Sequence, residues 1–280
     1  MTSILRAMWR NRGLMAGLII VLIYIGTGVA VYASHLIGFQ ITPYNPIQEF
    51  VTKPFAPPSL AHPFGTDELG RDVFSRVIDA TPNDVGVSLA VVAVILAIGG
   101  TLGAVAGMVG GLLDEALMRV TDVFFALPAI ILAIVIGAII GPGLTNMAYV
   151  LMLVGWPGYA RIARGETLKI INSNFIQAAR VSGMSRFRIL VDHIWPNIAQ
   201  VLLVFATLNV GTVVLVFAAL SYFGLAVIPP APDWGAMVNT YQDYMISAPW
   251  LPLIPGFVIA LDVVGFSILG DGLRDVLELR

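Results

Sequence analysis

The sequence predicts an all-α integral membrane protein with about six transmembrane helices, and three observations carry that reading. Hydrophobic residues make up 58% of the 280 and charged ones only 11%, at a mean hydropathy of +0.89, which is beyond what a water-soluble domain uses. The apolar residues come in blocks near the roughly 18–20 residues that a bilayer demands, not in the short periodic pieces of a soluble core. The cations are gathered locally between the blocks. With a net charge of −2 there is no general attraction to nucleic acid. With no cysteine there is no disulfide framework, thiolate metal site or thiol nucleophile.

Residues 1–13 form a basic tail holding Arg6, Arg10 and Arg12. The first apolar block, 14–37, outruns the roughly 7–15 residues of a signal peptide and is read as a retained transmembrane helix. Residues 38–84 form an extracytoplasmic loop. Within it Thr66 is expected to cap a helix whose first turn holds Asp67 and Glu68, with Asp67/Arg71 and Asp72/Arg76 spaced for ion pairs four residues apart. That helix either lies on the membrane or against neighbouring loops, or the loop receives a substrate-binding protein or shapes the entrance to the path. Residues 85–280 hold the five-helix core, with blocks at 85–113, 123–140, 144–160, 198–227 and 251–269. The 144–160 block is the weakest because Gly155 and Pro157 interrupt it, although membrane helices tolerate such breakers where neighbours satisfy the backbone. Gly99, Gly103, Gly107 and Gly111 recur every four residues and make a stripe without side chains, a helix-packing seam made either within the chain or with a partner.

Six crossings put both termini on one side. Of the 15 Lys and Arg residues, all but Lys53, Arg71 and Arg76 fall on that side, so the positive-inside rule makes it cytoplasmic. There too lies a polar island, 165–197. In it Asn174 and Gln177 have the spacing of a capping box, and Gly183 is placed to end the short helix. Ala178 and Ala179 give that helix a low surface over which another protein's groove can close. The island reads as a docking element or as a solvated connection. In the last block Asp262 is a charge within a span, which implies either pairing inside the bundle or an aqueous cavity as a possible substrate path. Asp84 and Asp122 sit near span ends and read as interfacial. There is no H-E-x-x-H, G-x-S-x-G or phosphate-binding G-x-x-x-x-G-K-[ST] segment, so neither intramembrane catalysis nor nucleotide binding has a motif here. No catalytic or metal-ligating residue is assigned. A passive channel is disfavoured because nothing resembles a repeated filter.

Gln177-Ala178-Ala179, Gly183 and Pro196 together resemble the EAA loop of ABC importer permeases. The segment from His62 through Gly65-Thr66-Asp67, Leu69-Gly70-Arg71-Asp72 and Ser75-Arg76 is similar to one in the dipeptide, oligopeptide and nickel branch of that family. Gly141-Pro142-Gly143, Trp156-Pro157-Gly158-Tyr159-Ala160-Arg161, Ser221-Tyr222-Phe223-Gly224-Leu225, Trp234-Gly235 and Leu269 through Asp275 match as well. Two positions depart from the pattern: Gln177 stands for Glu, and Trp195 stands for Leu. The resemblance implies a type I importer fold in which Gln177, Ala178, Ala179, Arg180 and Gly183 couple the chain to an ATPase. It implies a multi-pass protein of the cytoplasmic (inner) membrane, surrounded by lipid and with both termini cytoplasmic. Its implied partners are a sibling permease in a heterodimer, two ATP-binding cassette subunits or domains that bind the ATP and Mg, and an extracytoplasmic substrate-binding protein. The chain itself would carry no cofactor and would not be an enzyme. Peptides are the implied cargo, with oligosaccharides or nickel as alternatives; the family pattern does not supply an acid at Asp262.

Overall fold

Residues 11–278 are described in a computed structural model, and among them every regular element is helical. Arg6, Arg10 and Arg280, three of the expected cytoplasmic cations, lie outside the described residues. Helix α1 (Arg12–Leu36) starts at Asn11, whose side chain accepts the Leu14 N–H at 3.0 Å. Helices α2 (Val73–Thr81) and α3 (Val87–Val109) are joined without interruption by a π-helical turn, Pro82–Gly86. Helices α4 (Gly111–Phe125) and α5 (Ala129–Ile140) meet at 86°. After α6 (Leu144–Ile170) come the short α7 (Asn174–Val181) and α8 (Arg186–Ile189). A second π turn, Leu190–Ile194, runs α8 into α9 (Trp195–Tyr222). Helix α10 (Trp234–Tyr241) continues in a 3-10 turn, and α11 (Trp250–Glu278) closes the chain.

Four helices are long and apolar enough to cross a membrane: Arg12–Leu36, Val73–Val109, Arg186–Tyr222 and Trp250–Leu277, with a fifth crossing if the bent α4–α5 pair counts as one. Helix α6, where the weakest expected span falls, has 27 residues but is too polar to pass on composition. Its partner explains why it need not be apolar all round. A Cβ on Gly99, Gly103 or Gly107 would stand 2.4, 2.0 or 3.0 Å from the carbonyl oxygens of Trp156, Ala160 and Arg164, so one face of α6 is pressed on the backbone of α3 and is shielded from lipid. The stripe is therefore an intrachain seam. Gly111 is not part of it: its φ is +63° and nothing lies within 4 Å of its Cβ position, because the chain has already turned out of α3 at Gly110.

Several expected boundaries move, three of them for visible reasons. The second span was expected to begin at 85 but starts at Val73, because the π turn absorbs Pro82, whose missing N–H and bulky ring would otherwise break an α-helix. The same device at Leu190–Ile194 lets the helix run through Pro196 from Arg186, not from 198. That helix stops at Tyr222, short of 227, on a Schellman motif: Gly224 has φ +74°, its N–H donates to Ser221 O at 2.8 Å, and the Leu225 N–H donates to Leu220 O at 3.0 Å.

The helix expected from Thr66 does not form. Gly65 and Gly70 have φ +71° and +68°, and a Cβ on Gly70 would stand 2.4 Å from Thr52 O, so the segment is a tight loop with one bridge between Thr66 and Asp72. The Asp67–Arg71 pair exists at 2.7 Å inside that loop. The expected Asp72–Arg76 pair does not. Asp72 instead caps α2 through the Ser75 N–H at 2.8 Å and bonds His62 Nδ1 at 2.8 Å, while Arg76 donates to Pro46 O at 2.8 Å.

Candidate coupling site

The polar island folds as a short helix held on the bundle by one face. Helix α7 is preceded by the extended Ser173, which makes no side-chain cap. The capping-box expectation at Asn174 is thus off by one residue, and Gln177 reaches instead to Asn172 O at 3.0 Å. At the other end the Gly183 N–H donates to Arg180 O at 3.0 Å and the Met184 N–H to Ala179 O at 3.1 Å, a Schellman close that requires the positive φ of Gly183, +77°. Ile176 is fully buried and Ala179 is 5% exposed, and both belong to the main apolar core together with Ile189 and Ile194.

The docking expectation therefore divides. Gln177, Ala178 and Arg180 lie on the exposed face with Phe175 and Val181, the last of these 90% exposed. Ala179 does not: spaced three residues from Ile176, it shares the inner face and serves to seat the helix. Sequence reasoning missed Val181 and Phe187, which is 75% exposed just beyond the turn. Their signal was available as large apolar residues inside an otherwise polar stretch. Together Ala178, Val181 and Phe187, with the half-exposed Phe175, give the segment an exposed apolar surface among Gln177, Arg180, Arg186 and Arg188.

Motion of α7 has a short mechanical route into the bundle. The Phe175 ring lies 6.2 Å from that of His193, inside the π turn, and the turn continues into α9 as one helix of 37 residues from Arg186 to Tyr222. Nearby, Arg164 holds Asp114 with its Nη2 at 2.7 Å from Oδ2, and Arg161 holds Asp122 at 2.6 Å. These two pairs link α6 to α4.

A family model described as binding-protein-dependent transport system inner membrane component matches residues 99–280. The chain belongs to that family. It is 38% identical to the dipeptide transport system permease protein DppC of Alkalihalophilus pseudofirmus, over 96% of this chain and 86% of that protein. It is 36% identical to the glutathione transport system permease protein GsiD of Pectobacterium atrosepticum, over 98% and 90%. It is also 36% identical to the nickel transport system permease protein NikC of Escherichia coli strain K12, over 84% and 85%. As a member of this family the chain is a transport component of a binding-protein-dependent ABC system, not an enzyme.

Within this permease the pairing inside the bundle that was one of two outcomes expected of Asp262 is not made among the described residues. Asp262 is fully buried, and neither carboxylate oxygen has a hydrogen-bond partner. Two further acids lie close by, one that sequence reasoning expected at an interface and one that it did not single out. Asp84, expected at an interface, is fully buried in the π turn and accepts the Trp234 N–H at 3.4 Å. Asp233 is also fully buried; its Oδ1 caps α10 through the Ala236 N–H at 3.0 Å and takes the Ser221 hydroxyl. Desolvation pushes the Asp233 carboxyl above the ordinary range, against the pull of those donors. Its one sequence signal was an Asp directly before Trp-Gly, a helix N-cap spacing.

Proposed function

We propose that this permease is one membrane half of an ATP-driven importer of peptides, and that α7 is the element through which partner ATPases move it. The single observation that carries the coupling reading is the divided helix. Its inner face, Ile176 and Ala179, is locked to the core, while on its outer face Ala178 and Val181 are exposed and Phe175 is half-exposed, touching only the His193 ring among the contacts described. A groove on an ATPase closing over that outer face would push on the bundle, and the Phe175–His193 contact would carry the push into α9. Nucleotide and Mg are bound by the two ATPase subunits or domains, and this chain supplies no cofactor site. A sibling permease completes the path and an external binding protein delivers the cargo.

Six crossings with both termini in the cytoplasm fit the helix registers. The α3–α6 seam pairs Gly99 with 156, Gly103 with 160 and Gly107 with 164, so these helices run parallel. Parallel neighbours require the intervening α4–α5 pair to return across the bilayer. Peptide cargo is supported by the dipeptide and glutathione permeases among the relatives, with nickel as the second reading because a nickel permease is as similar.

The test is an Ala178→Asp, Val181→Asp pair in the complete complex. A buried charge in the joint should leave the protein in the membrane yet cut binding-protein-dependent uptake by at least about tenfold, the equivalent of about 1.4 kcal/mol at the interface. Unchanged uptake with both charges installed would overturn the coupling role. Cargo is read separately, from whether the cognate binding protein holds peptides, nickel or sugars.

A further inference from the structure

Among the described residues five buried carboxylate oxygens have no donor: Oε2 of Glu68, whose other oxygen is paired with Arg71, and, away from any cation, both of Asp262, Oδ1 of Asp84 and Oδ2 of Asp233. Folded proteins seldom leave buried acceptors unpaired, because each forfeits its hydration with no return. Among the described residues the ion pairs of aspartate are made elsewhere, at Asp67, Asp72, Asp79, Asp114 and Asp122. Asp84 lies within electrostatic range of both other acids, so the three form one node where α1, the Pro82–Gly86 turn, α10 and α11 meet. A metal ion does not suit it, since no group of three acid, His or Cys side chains among the described residues is placed to hold one.

The second feature of the node is aromatic. Tyr24 and Trp234 meet edge to face with ring centroids 5.8 Å apart. Their polar atoms are spent elsewhere: the Tyr24 hydroxyl donates to Val258 O at 2.8 Å, one helical turn before Asp262, and Trp234 Nε1 donates to Val77 O at 2.9 Å. What the rings offer the node is their π surface. Carboxylates with no counter-charge in the company of tyrosine and tryptophan are chemistry that suits an organic cation. The π turn at Asp84 is a further local irregularity of the kind that collects at functional sites.

Cavities flank the node. One of about 170 Å³ reaches Asp233, with Arg71 and Arg76 on its other walls; Asp67 lies 2.7 Å from Arg71 Nε and 3.8 Å from Arg76 Nε. A second, of about 560 Å³, runs past Tyr24, Pro82, Asn83 and Gly86. Displacement of α10, which carries Asp233 and Trp234, would join the node to the first of these.

We propose that Asp262, Asp84 and Asp233, walled by Tyr24 and Trp234, form a seat for a positively charged group of the cargo, an ammonium or guanidinium, that opens during the transport cycle. The inference rests on the importer reading above and adds the charge class of what is imported.

The test uses the complete transporter in proteoliposomes, with its ATPases and binding protein, and two cargo peptides of one length, one bearing a lysine and a free amino terminus, the other N-acetylated and neutral. Uptake by Asp262→Asn is divided by wild-type uptake for each, so that the binding protein's own preference cancels. The expected result is a loss of at least about tenfold for the cationic peptide with the neutral ratio near one, and the same pattern, weaker, for Asp84→Asn. Equal ratios for the two peptides, whether both unchanged or both reduced, would overturn the proposal and assign the node a structural role. Should Asp262→Asn not assemble, Asp84→Asn carries the same comparison. Should wild type move neither peptide, the peptide reading fails by itself, and an amino sugar set against its neutral parent sugar decides the cation seat by the same ratio.

Discussion

At Asp67 the loop before α2 is held by one carboxylate. It accepts the backbone N–H groups of Leu69 and Arg71 at 3.0 and 2.9 Å, Arg71 Nε at 2.7 Å and the Tyr241 hydroxyl at 3.1 Å, and it is wholly buried. Removing it takes the Nε partner from the buried Arg71, which keeps Glu68 at 3.0 Å, and leaves the Tyr241 hydroxyl and two backbone N–H groups without their acceptor, so Asp67→Ala should destabilise the protein by about 3 kcal/mol, read as a lower Tm of the purified complex, while an exposed control such as Glu115→Ala leaves Tm nearly unchanged. The Asp67–Arg71 pairing was legible from the four-residue spacing. That it closes a loop instead of bracing a helix was not, because the decision lay with Gly65 and Gly70, whose positive φ serves contacts to residues 56 and 52 that no local pattern announces. Asp233 gives a pH dependence with a definite sign. Burial raises its carboxyl above the unfolded value of about 3.9, so its contribution to stability is complete below that value and is lost as pH rises through the folded one. Asp233→Asn keeps an acceptor for the Ala236 N–H, and it should raise Tm more at about pH 8 than at about pH 5. A uniform shift across pH would mean that the carboxyl is ionised in the folded protein throughout.

Helices here are placed by glycines more than by large side chains. Three antiparallel or parallel seams share one device: Gly99, Gly103 and Gly107 against α6, Gly17, Gly265 and Gly272 between α1 and α11, and Gly211 and Gly270 between α9 and α11, each with a neighbouring atom within 3.1 Å of where a Cβ would stand. Gly103→Ala puts a methyl carbon 2.0 Å from Ala160 O and cannot be relieved by a rotamer, so it should cost more than the roughly 1–3 kcal/mol of ordinary overpacking and sharply lower the yield of folded protein. Gly111→Ala, with open space around it but a φ of +63°, should cost only about 1–2 kcal/mol. Equal tolerance of the two changes would mean that the α3–α6 seam is not close-packed. The four-residue repeat made the stripe readable; its last member failed because periodicity continues in the sequence after the helix has ended. The starts of the second and fifth spans erred in the opposite direction. Pro82 stands in one π turn and Pro196 two residues after the other, and each turn lets the helix begin earlier than the apolar block, a compensation that depends on φ and ψ over five residues and leaves no compositional mark.

Across the whole molecule the registers fix which ends lie together. In the α1–α11 seam Leu14 meets Gly272, and Ile20 meets Gly265, so α1 and α11 run antiparallel and residues 14 and 272 share a side. The exposed Phe187 begins the helix that passes α11 in the opposite direction, through Leu208 beside Gly270 and Gly211 beside Val263, which puts the coupling segment on that same side. Leu60, fully exposed in the loop between α1 and α2, falls on the other. Under the reading proposed above the first side is cytoplasmic, as the positive-inside count expects, and a sequence without cysteine makes that expectation directly measurable, because any single introduced thiol is the only one in the chain. In intact cells a membrane-impermeant maleimide should modify Leu60→Cys and leave Phe187→Cys unmodified until the membrane is opened. Labelling of both from outside would break the six-crossing arrangement; the reverse pattern would keep the registers and invert the protein, placing α7 where no ATP-driven partner could reach it.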